Sequence, residues 1–322
     1  MGFKLLVFPP RGGENANENQ WPDLLNDAIP GMDVRYAESV GDALEMIDDV
    51  DAAYGDITPE LFERAKDLKW IACPQAGPRA GYYHQALIDS DVVVTNTREI
   101  YNDHISAHIM SYVLAFARGL HVFIRRQLDH NWNPDYPTVH LPDATALIFG
   151  VGGIGAETAR LCAEFGMEVL AVDPRVEQAP KGVAELHRPG SEADLLARAD
   201  FVIATVPETP ATQGMFNADT FGNMRSKAVF INIGRGATTV LDDLVAALRS
   251  GEIGGAALDV FQIEPLPADN PLWGMDNVII TPHMAGHGPY LEGRRTELFI
   301  ENCKLFNEGR PLKNVVDKHN WF

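Results

Sequence analysis

The chain has 322 residues, and its 46% hydrophobic and 22% charged residues are typical of a globular protein rather than a disordered one. A net charge of -19 disfavours nucleic-acid and membrane partners, because such a surface repels phosphate groups. The three cysteines, at positions 73, 162 and 303, form no C-x-x-C pair, which disfavours disulfides and indicates a reducing, cytoplasmic location. No apolar stretch reaches the roughly 18 residues of a membrane helix, so we expect a soluble protein.

The first hundred residues alternate short β-like runs with amphipathic segments. The β-like runs occupy residues 4–8, 34–37, 52–54, 70–73 and 92–95. Helices are predicted over 41–47 and 59–65, the second with Thr58 as its N-cap and Pro59 at its first position. This alternation predicts a small parallel sheet covered by helices.

The remainder of the chain predicts a second and larger α/β unit. A long apolar helix is predicted over 103–120 and a final helix over 293–307. Between them lie six β-like runs, at residues 145–149, 168–172, 201–205, 228–233, 256–260 and 277–281. Short, continuously apolar strands separated by helices are typical of a doubly wound dinucleotide-binding sheet. We therefore predict an α/β protein with two parallel-sheet domains, one of them Rossmann-like.

The strongest local motif is GVGGIG at 150–155, which follows an apolar strand and opens a helix. Gly150 permits a tight turn, Gly152 lets the backbone approach a pyrophosphate, and Gly155 lets the helix pack closely on the strand. The phosphates then lie at the positive end of the helix dipole. An isolated motif of this kind is often only a turn, but the flanking strand and helix favour a dinucleotide site.

Asp173 ends the next predicted strand, 18 residues after Gly155. An acidic side chain at this position accepts hydrogen bonds from the adenosine ribose and repels a 2′-phosphate, so we expect NAD as the cofactor. Arg175 follows closely and offsets part of that repulsion. NADP therefore stays open as an alternative.

Three polar side chains follow three predicted strands of the larger unit: Arg235 in NIGRG, Glu264 in DVFQIEPLP and His283 in TPH. The carboxyl ends of parallel strands form the edge where such sheets bind ligands. An arginine fork binds a carboxylate and polarises a carbonyl, and a histidine beside a carboxylate exchanges protons. Each residue alone is explained by a surface charge or a turn. Their common edge predicts a catalytic site for reducing a 2-keto acid, with Glu264 and His283 as the acid/base pair.

Together these motifs resemble the D-isomer-specific 2-hydroxyacid dehydrogenase family. The resemblance rests on GVGGIG at 150–155, NIGRG at 232–236, ALDVFQIEPLP at 257–267 and NPLWGMDNVIITPH at 270–283. It extends to KWIACPQAGPRAG at 69–81, which is similar to the family's substrate-carboxylate loop, and to HIMSYVLAFAR at 108–118 in its interdomain helix. The resemblance implies a nicotinamide-dependent dehydrogenase that interconverts a small 2-keto acid and its D-2-hydroxy acid.

The resemblance also implies a domain division and a set of site residues. Residues 1–100 plus 286–322 would form a flavodoxin-like substrate-binding domain, and residues 101–285 would form the NAD-binding Rossmann domain. The active site would lie in the cleft between the two domains. The chain would form a homodimer, mainly through the cofactor domain. Arg235 and His283 would contact the substrate. The backbone of Ala76 and Gly77 would bind the substrate carboxylate. The cofactor-binding residues implied are Gly150, Gly152, Gly153, Ile154, Gly155, Asp173, Pro207, Ile233 and Asp259, the last at the nicotinamide amide.

The substrate itself is not determined by these motifs. The carboxylate loop reads PQAGPRAG where the family more commonly has Val and Asp after AG, which leaves the roles of Pro78 and Arg79 open. Glyoxylate, hydroxypyruvate, lactate-type and bulkier 2-keto acids are all candidates. Possible pocket aromatics are Tyr54, Tyr101, Trp132 and Tyr290, although core burial explains an aromatic residue at least as often.

Two other interpretations of the sequence compete with the dehydrogenase. A zinc enzyme is suggested by two H-x-x-x-H pairs, His104 with His108 and His283 with His287, but catalytic zinc needs a third protein ligand that the sequence does not provide, so we expect no metal. A non-enzymatic NAD-sensing protein of the corepressor type is the other alternative, because one fold serves several functions. The intact set of arginine, glutamate and histidine favours the enzyme.

Overall fold

The computed structural model describes residues 2–8, 18–77 and 81–321. The chain forms two compact units, the first comprising Met1–Ile100 with Gly288–Phe322 and the second Tyr101–His287. Sequence reasoning places these boundaries after residues 100 and 285. The first unit thus takes its residues from both ends of the chain, and the second is continuous.

The first unit is built around a five-stranded parallel sheet in the order β2-β1-β3-β4-β5. Its strands are β1 (Lys4–Phe8), β2 (Asp33–Tyr36), β3 (Ala52–Gly55), β4 (Trp70–Ala72) and β5 (Val93–Thr95). Its helices are α1 (Trp21–Ala28), α2 (Val40–Met46), α3 (Pro59–Arg64), α4 (Gln85–Ile88) and α11 (Leu291–Asn307). All five predicted strands are present. The Thr58 hydroxyl caps α3 by accepting a hydrogen bond from the Leu61 N–H.

Both faces of this sheet are buried, as a parallel sheet covered by helices requires. Phe299 of α11 stacks on Trp21 of α1 with ring centroids 4.5 Å apart, which joins the C-terminal helix to the N-terminal elements. Tyr54 belongs to the same core, because it is 1% exposed and its hydroxyl donates to Glu18 Oε1 at 2.6 Å. Tyr54 is therefore a core residue of this unit, and the suggestion that it lines a substrate pocket was wrong.

The second unit contains a seven-stranded parallel sheet in the order β12-β11-β10-β9-β6-β7-β8. Its strands are β6 (Thr145–Phe149), β7 (Glu168–Val172), β8 (Glu185–His187), β9 (Phe201–Ala204), β10 (Val229–Asn232), β11 (Gly255–Leu258) and β12 (Val278–Ile280). Its helices are α5 (Asn102–Arg118), α6 (Leu120–Leu128), α7 (Gly153–Glu164), α8 (Glu192–Leu196), α9 (Ala218–Gly222) and α10 (Leu241–Ser250). The six predicted strands are confirmed. The seventh, β8, is a half-buried edge strand with the sequence ELH, which carries no apolar run.

The helix predicted over 103–120 ends at Arg118. Gly119 adopts φ +70°, a left-handed conformation that terminates α5, and an added Cβ there would lie 2.5 Å from the Tyr136 ring. A second helix, α6, begins immediately afterwards. Within the described residues, no single helix is both long and apolar enough to cross a membrane; α5 and α6 pass that test only as a pair, bent by 70°.

The order of the strands determines where a ligand site can form in the second unit. The sheet runs outward in both directions from β6 and β9, so its connections change side between these two strands. Ligands bind outside the carboxyl ends of the strands at such a switch point. The loops after β6, β9, β10, β11 and β12 all leave from this edge.

Candidate active site

The glycine-rich loop joins β6 to α7 at the centre of the larger sheet. Gly150 has φ +86°, in the left-handed region that favours glycine. Its carbonyl oxygen accepts a hydrogen bond of 2.6 Å from the Thr205 hydroxyl, which ties the turn to the residue after β9. The protein's own contacts thus define the shape of the loop.

The other glycines of this loop differ in their surroundings. A Cβ at Gly155 would lie 1.9 Å from the Gly150 carbonyl oxygen, so the helix can approach the turn only with glycine there. A Cβ at Gly152 would meet no atom within 4 Å, so the space beside it is open. Gly152 is also the N-cap of α7 and supplies no side chain to the first N–H groups of the helix. Open space beside uncapped N–H donors fits the pyrophosphate of a dinucleotide.

Asp173 lies just after β7 and is 2% exposed. One carboxylate oxygen accepts from the Val151 N–H at 2.9 Å, and the other accepts from the N–H groups of Arg175 and Val176 at 2.8 and 3.0 Å. Burial raises the pKa of the Asp173 carboxyl, but these donors outweigh it and hold the pKa below its ordinary value. The carboxylate therefore fastens the glycine-rich loop to the turn after β7, in addition to any contact with a ribose.

Arg235 lies in a loop after β10 whose shape depends on Asn232. The buried Asn232 amide donates to the Arg235 carbonyl oxygen at 3.2 Å, and its oxygen accepts from the Gly234 N–H at 2.9 Å. Sequence reasoning missed Asn232 because it was counted within an apolar strand. The signal was present, since a polar amide inside such a run needs buried hydrogen-bond partners.

The Arg235 side chain is half-buried beside acidic groups. Burial lowers the pKa of its guanidinium, and the carboxylates of Glu208 and Glu264 oppose that shift. Arginine stays charged at physiological pH, so the site contains a fixed cation. A Cβ at Gly236 would lie 1.9 Å from the Phe261 carbonyl carbon, so glycine lets the arginine loop pack directly on the loop that carries Glu264.

His283 and Glu264 are in direct contact. The imidazole Nδ1 lies 2.8 Å from Glu264 Oε2, and the other carboxylate oxygen accepts from the Phe261 N–H at 2.9 Å. Because Nδ1 is bonded to the carboxylate, Nε2 is the ring nitrogen suited to proton exchange with a ligand. The side chains of His283 and Glu264 are 47% and 35% exposed, so a small molecule can reach them. The structure thus brings together the two side chains expected to act as a pair.

Asp259, expected at the nicotinamide amide, is 1% exposed in the second unit. Its carboxylate accepts hydrogen bonds from the N–H groups of Met284 and Ala285, each at 2.9 Å, and from the Thr281 hydroxyl. These bonds attach the turn that carries His283 to the end of β11. Contact between Asp259 and a nicotinamide stays a prediction.

Ala76 and Gly77 lie in the loop after β4 of the first unit. The Asn96 amide donates to the Ala76 carbonyl oxygen at 2.8 Å, and the Thr97 hydroxyl donates to the Pro74 carbonyl oxygen at 3.0 Å. Side chains that follow β5 therefore shape this loop. Its role in binding a substrate carboxylate stays a prediction, and Pro78 and Arg79 lie outside the described residues.

Three further residues expected at the cofactor occupy the second unit. Pro207 follows β9, and its carbonyl oxygen accepts from the Thr212 hydroxyl at 2.6 Å. Ile233 is 6% exposed and belongs to the core cluster, against which the partly buried Ile154 of α7 also packs. The environment of Ile233 favours a backbone contact over a side-chain contact. All three cofactor roles stay predictions.

Three histidines of the two H-x-x-x-H pairs are hydrogen-bonded to other side chains. His104 Nδ1 lies 2.9 Å from Asp103, His108 Nε2 lies 2.8 Å from the Tyr112 hydroxyl, and His283 is bonded to Glu264. Across residues 2–8, 18–77 and 81–321, no group of three or more His, Cys, Asp or Glu side chains is placed to hold a metal ion.

Comparisons with known proteins agree with this geometry. The NAD binding domain of the D-isomer specific 2-hydroxyacid dehydrogenase family matches residues 110–285. A hydroxypyruvate reductase of Blautia hydrogenotrophica is 30% identical over an alignment that covers 94% of this chain and 97% of the relative. The sequence likeness thus extends well beyond the glycine-rich motif.

Solved structures resemble the whole chain. A D-isomer specific 2-hydroxyacid dehydrogenase from Xanthobacter autotrophicus, in complex with NADPH and MES, has a TM-score of 0.87 and 31% identity, with 100% of both chains covered. An NADPH-dependent glyoxylate/hydroxypyruvate reductase from Sinorhizobium meliloti, in complex with NADP and sulfate, has a TM-score of 0.82 and 29% identity, covering 99% of this chain and 100% of that one. The chain therefore belongs to the D-isomer specific 2-hydroxyacid dehydrogenase family and is an NAD(P)-dependent oxidoreductase.

Proposed function

We propose that the chain reversibly reduces a small 2-keto acid to its D-2-hydroxy acid through Arg235, Glu264 and His283. The observation that carries the proposal is the delivery of these side chains by the loops after three adjacent strands, β10, β11 and β12, with His283 Nδ1 bonded to Glu264 at 2.8 Å. A cation for a carboxylate and an oriented imidazole at one edge of a dinucleotide-binding sheet are the groups that this reaction requires.

Each side chain has a distinct chemical task. When bound, the nicotinamide supplies a hydride to the carbonyl carbon or takes it back. Arg235 binds the substrate carboxylate and polarises the carbonyl. His283 gives a proton from Nε2 to the carbonyl oxygen, while Glu264 fixes the ring through Nδ1. In the oxidative direction His283 takes the proton from the hydroxyl group.

The substrates proposed are glyoxylate and hydroxypyruvate. Support comes from the relatives whose names state these activities, a hydroxypyruvate reductase and a glyoxylate/hydroxypyruvate reductase, each matched over more than nine tenths of this chain. Both molecules carry a carboxylate beside a carbonyl, which suits one arginine and one proton donor. Bulkier 2-keto acids serve as the comparison in the test.

The chain is further proposed to accept both NADH and NADPH. The Asp173 carboxylate already accepts hydrogen bonds from three backbone N–H groups, whose positive ends offset part of its charge and lessen its repulsion of a 2′-phosphate. Arg188 lies at the same end of the sheet, where it donates to the Asp173 carbonyl oxygen at 3.2 Å, and Arg175 is two residues away. Two guanidinium groups near the ribose position favour tolerance of the phosphate.

The deciding experiment measures NADH and NADPH oxidation with a panel of 2-keto acids from glyoxylate to phenylpyruvate. We expect turnover with glyoxylate and hydroxypyruvate, and oxidation of D-glycerate but not L-glycerate in the reverse assay. Arg235→Ala should lose more than about tenfold in kcat/KM, or about 1.4 kcal/mol. Tight cofactor binding without turnover of any 2-keto acid would instead support a non-enzymatic NAD sensor.

A homodimer formed through the cofactor-binding unit is part of the proposal. Helix α6 exposes three apolar side chains that are spaced four residues apart: Leu120, Ile124 and Leu128 are 49%, 59% and 76% exposed. Trp132, which follows the helix, is 99% exposed. Contiguous exposed apolar side chains of this kind mark protein contacts, and a second copy of the chain is the occupant that the family resemblance implies. Sedimentation should show a dimer that Ile124→Asp with Leu128→Asp converts to a monomer.

We also propose a cytoplasmic location. All three cysteines are buried and unbridged, which suits a reducing compartment. Fractionation of the source cells with antibody detection checks this point.

A further inference from the structure

A chain of hydrogen-bonded side chains links α5 to the turn that carries His283. His108 Nε2 lies 2.8 Å from the Tyr112 hydroxyl, the Tyr112 hydroxyl is bonded to the Thr281 hydroxyl, and the Thr281 hydroxyl donates to Asp259. His108 and Tyr112 are one helical turn apart on α5, and their rings pack edge to face with centroids 4.6 Å apart. Asp259 is expected at the nicotinamide amide, whereas His108, Tyr112 and Thr281 have no task in the chemistry proposed for Arg235, Glu264 and His283.

The order of donors along this chain is fixed by the number of protons available. The Asp259 carboxylate has no proton to donate and accepts hydrogen bonds at both oxygens. Thr281 therefore donates its single hydroxyl proton to Asp259. Thr281 must then accept from Tyr112. The Tyr112 oxygen in turn accepts from His108, whose ring therefore carries its proton on Nε2. In each of these three hydrogen bonds, the donor is the group on the α5 side and the acceptor is the group on the Asp259 side.

Asp259 in turn holds three consecutive residues of the catalytic turn. The His283 N–H donates to the Asp259 carbonyl oxygen at 2.8 Å, and the next two N–H groups, of Met284 and Ala285, donate to its carboxylate at 2.9 Å each. His283 itself has φ +54°, in the left-handed region that residues other than glycine adopt uncommonly. Hydrogen bonds to one buried residue, Asp259, thus fix the backbone conformation of the turn that carries the His283 imidazole.

We propose that Tyr112 and His108 are positioning residues for His283, acting through Thr281 and Asp259. Removing the Tyr112 hydroxyl takes away the shorter of the two contacts that Thr281 makes with α5 and leaves only His108 Nε2, 3.2 Å from the Thr281 hydroxyl, so the bond from Thr281 to Asp259 is held less firmly. The carboxylate then no longer holds the turn of His283 in one orientation. The proposal rests on the proposed function only for its kinetic consequence, because the order of the turn is measurable without turnover.

Burial is consistent with this assignment. Tyr112 is 3% exposed, and burial raises the pKa of its hydroxyl, which keeps the hydroxyl a neutral donor. Burial likewise lowers the pKa of His108, although the Asp259 carboxylate 3.9 Å away opposes this, so His108 acts as a neutral ring near neutral pH.

The test compares Tyr112→Phe with Tyr136→Phe. Tyr136 is a matched control because its hydroxyl also donates to α5, at 2.9 Å to the Phe116 carbonyl oxygen, but has no connection to Asp259. We expect Tyr112→Phe to lower kcat about tenfold with less than a twofold change in the cofactor Kd, and Tyr136→Phe to change neither. Amide hydrogen exchange of a peptide covering residues 282–287 should accelerate in Tyr112→Phe alone.

Substitutions at Thr281 give a second test that does not depend on how well Tyr112→Phe folds. Thr281→Val should lower kcat at least as much as Tyr112→Phe, whereas Thr281→Ser keeps the hydroxyl and should retain kcat within about twofold. Because both residues act on one carboxylate, Thr281→Val with Tyr112→Phe should be no slower than Thr281→Val alone.

Three results would overturn the proposal. The first is that Tyr112→Phe keeps both the wild-type kcat and the wild-type rate of amide hydrogen exchange. The second is that the losses of kcat in the two single variants add up in the double variant. The third is that Thr281→Ser loses as much kcat as Thr281→Val. If the wild-type chain turns over no 2-keto acid, the proposed function fails, and hydrogen exchange alone then decides whether Tyr112 holds the turn.

Discussion

His283 and Glu264 share a hydrogen bond of 2.8 Å across 19 positions of sequence. Glu264 is in the loop after β11, and His283 follows the neighbouring parallel strand β12. The Phe261 N–H holds the second carboxylate oxygen, so the position of the glutamate is fixed on both sides. The contact that orients the imidazole is therefore built by strand pairing and one backbone donor.

Glu264→Gln should lower kcat/KM by about 10- to 100-fold, which corresponds to about 1.4–2.7 kcal/mol of transition-state stabilisation. A neutral amide accepts a weaker hydrogen bond from Nδ1 than a carboxylate does, while substrate binding by Arg235 is kept. The loss should therefore appear mainly in kcat, measured by NAD(P)H oxidation. Glu185→Gln is the control, because Glu185 also bonds a histidine, His187 at 2.9 Å, but on the edge strand β8. Equal activity of the two variants would contradict the proposed pair.

Arg235→Lys should lower kcat/KM by more than about tenfold even though the charge is kept. A lysine ammonium cannot reproduce the planar, two-pronged contact of a guanidinium with a carboxylate, so KM for the 2-keto acid should rise most. Arg225→Lys is the control, since Arg225 bonds Asp200 at 2.7 Å at the opposite edge of the same sheet. An unchanged KM in Arg235→Lys would show that Arg235 does not bind the substrate carboxylate.

Gly155→Ala and Gly152→Ala should separate folding from cofactor binding. The Cβ at Gly155 would lie 1.9 Å from the Gly150 carbonyl oxygen, so this variant should lose about 1–3 kcal/mol of stability in thermal or urea unfolding. Gly152→Ala should keep the stability of the cofactor-free protein and weaken NAD(P)H binding, because its Cβ enters the space assigned to the pyrophosphate. Gly274→Ala, also without a neighbour within 4 Å, should change neither property. Unchanged cofactor affinity in Gly152→Ala would show that the pyrophosphate does not bind beside Gly152.

Asp173→Asn should weaken the binding of both NADH and NADPH, with a smaller loss for NADPH. An asparagine side chain has one acceptor oxygen for the three N–H groups that the carboxylate now accepts. A buried N–H without a partner costs about 1–3 kcal/mol, so the glycine-rich loop should loosen. Titration of tryptophan fluorescence with each cofactor measures both effects. Unaltered affinity for both would show that these bonds do not shape the cofactor loop.

The cysteines should be unreactive toward thiol reagents in the folded protein. Burial raises the pKa of Cys73 and Cys162 to about 12 and that of Cys303 well above its ordinary value. The reactive thiolate therefore forms only as the pH rises toward these values, and labelling should stay slow between about pH 7 and 9. Denaturant should release all three thiols, which are unbridged. Rapid labelling of the native chain near pH 8 would contradict the burial of these side chains.

The strands and the loop residues proposed to be catalytic were predictable because both are local features. Continuous apolar runs between helical segments predict buried parallel strands, and residues directly after such strands must lie at one edge of the sheet. This rule placed Arg235, Glu264 and His283 together without coordinates. It failed for β8, whose three residues ELH belong to a half-buried edge and carry no apolar pattern.

Other features depended on contacts that no periodicity encodes. The left-handed Gly119 divides one apolar run into two helices, and Tyr54 packs in the core of its unit and not in a pocket. Tyr112 lies within the run that predicts a long apolar helix over 103–120, yet its hydroxyl is hydrogen-bonded to Thr281, 169 residues away in sequence.

The sequence alone determined most of the strands, the cofactor motif and the identity of the proposed catalytic side chains, because each follows from short-range pattern and strand direction. Only the tertiary structure decided which groups hold those side chains in place. The hydrogen-bond partners of the Asp259 carboxylate lie 22 to 26 residues away in sequence and are determined by the order of the strands, and the free energy of a buried polar group depends on such partners.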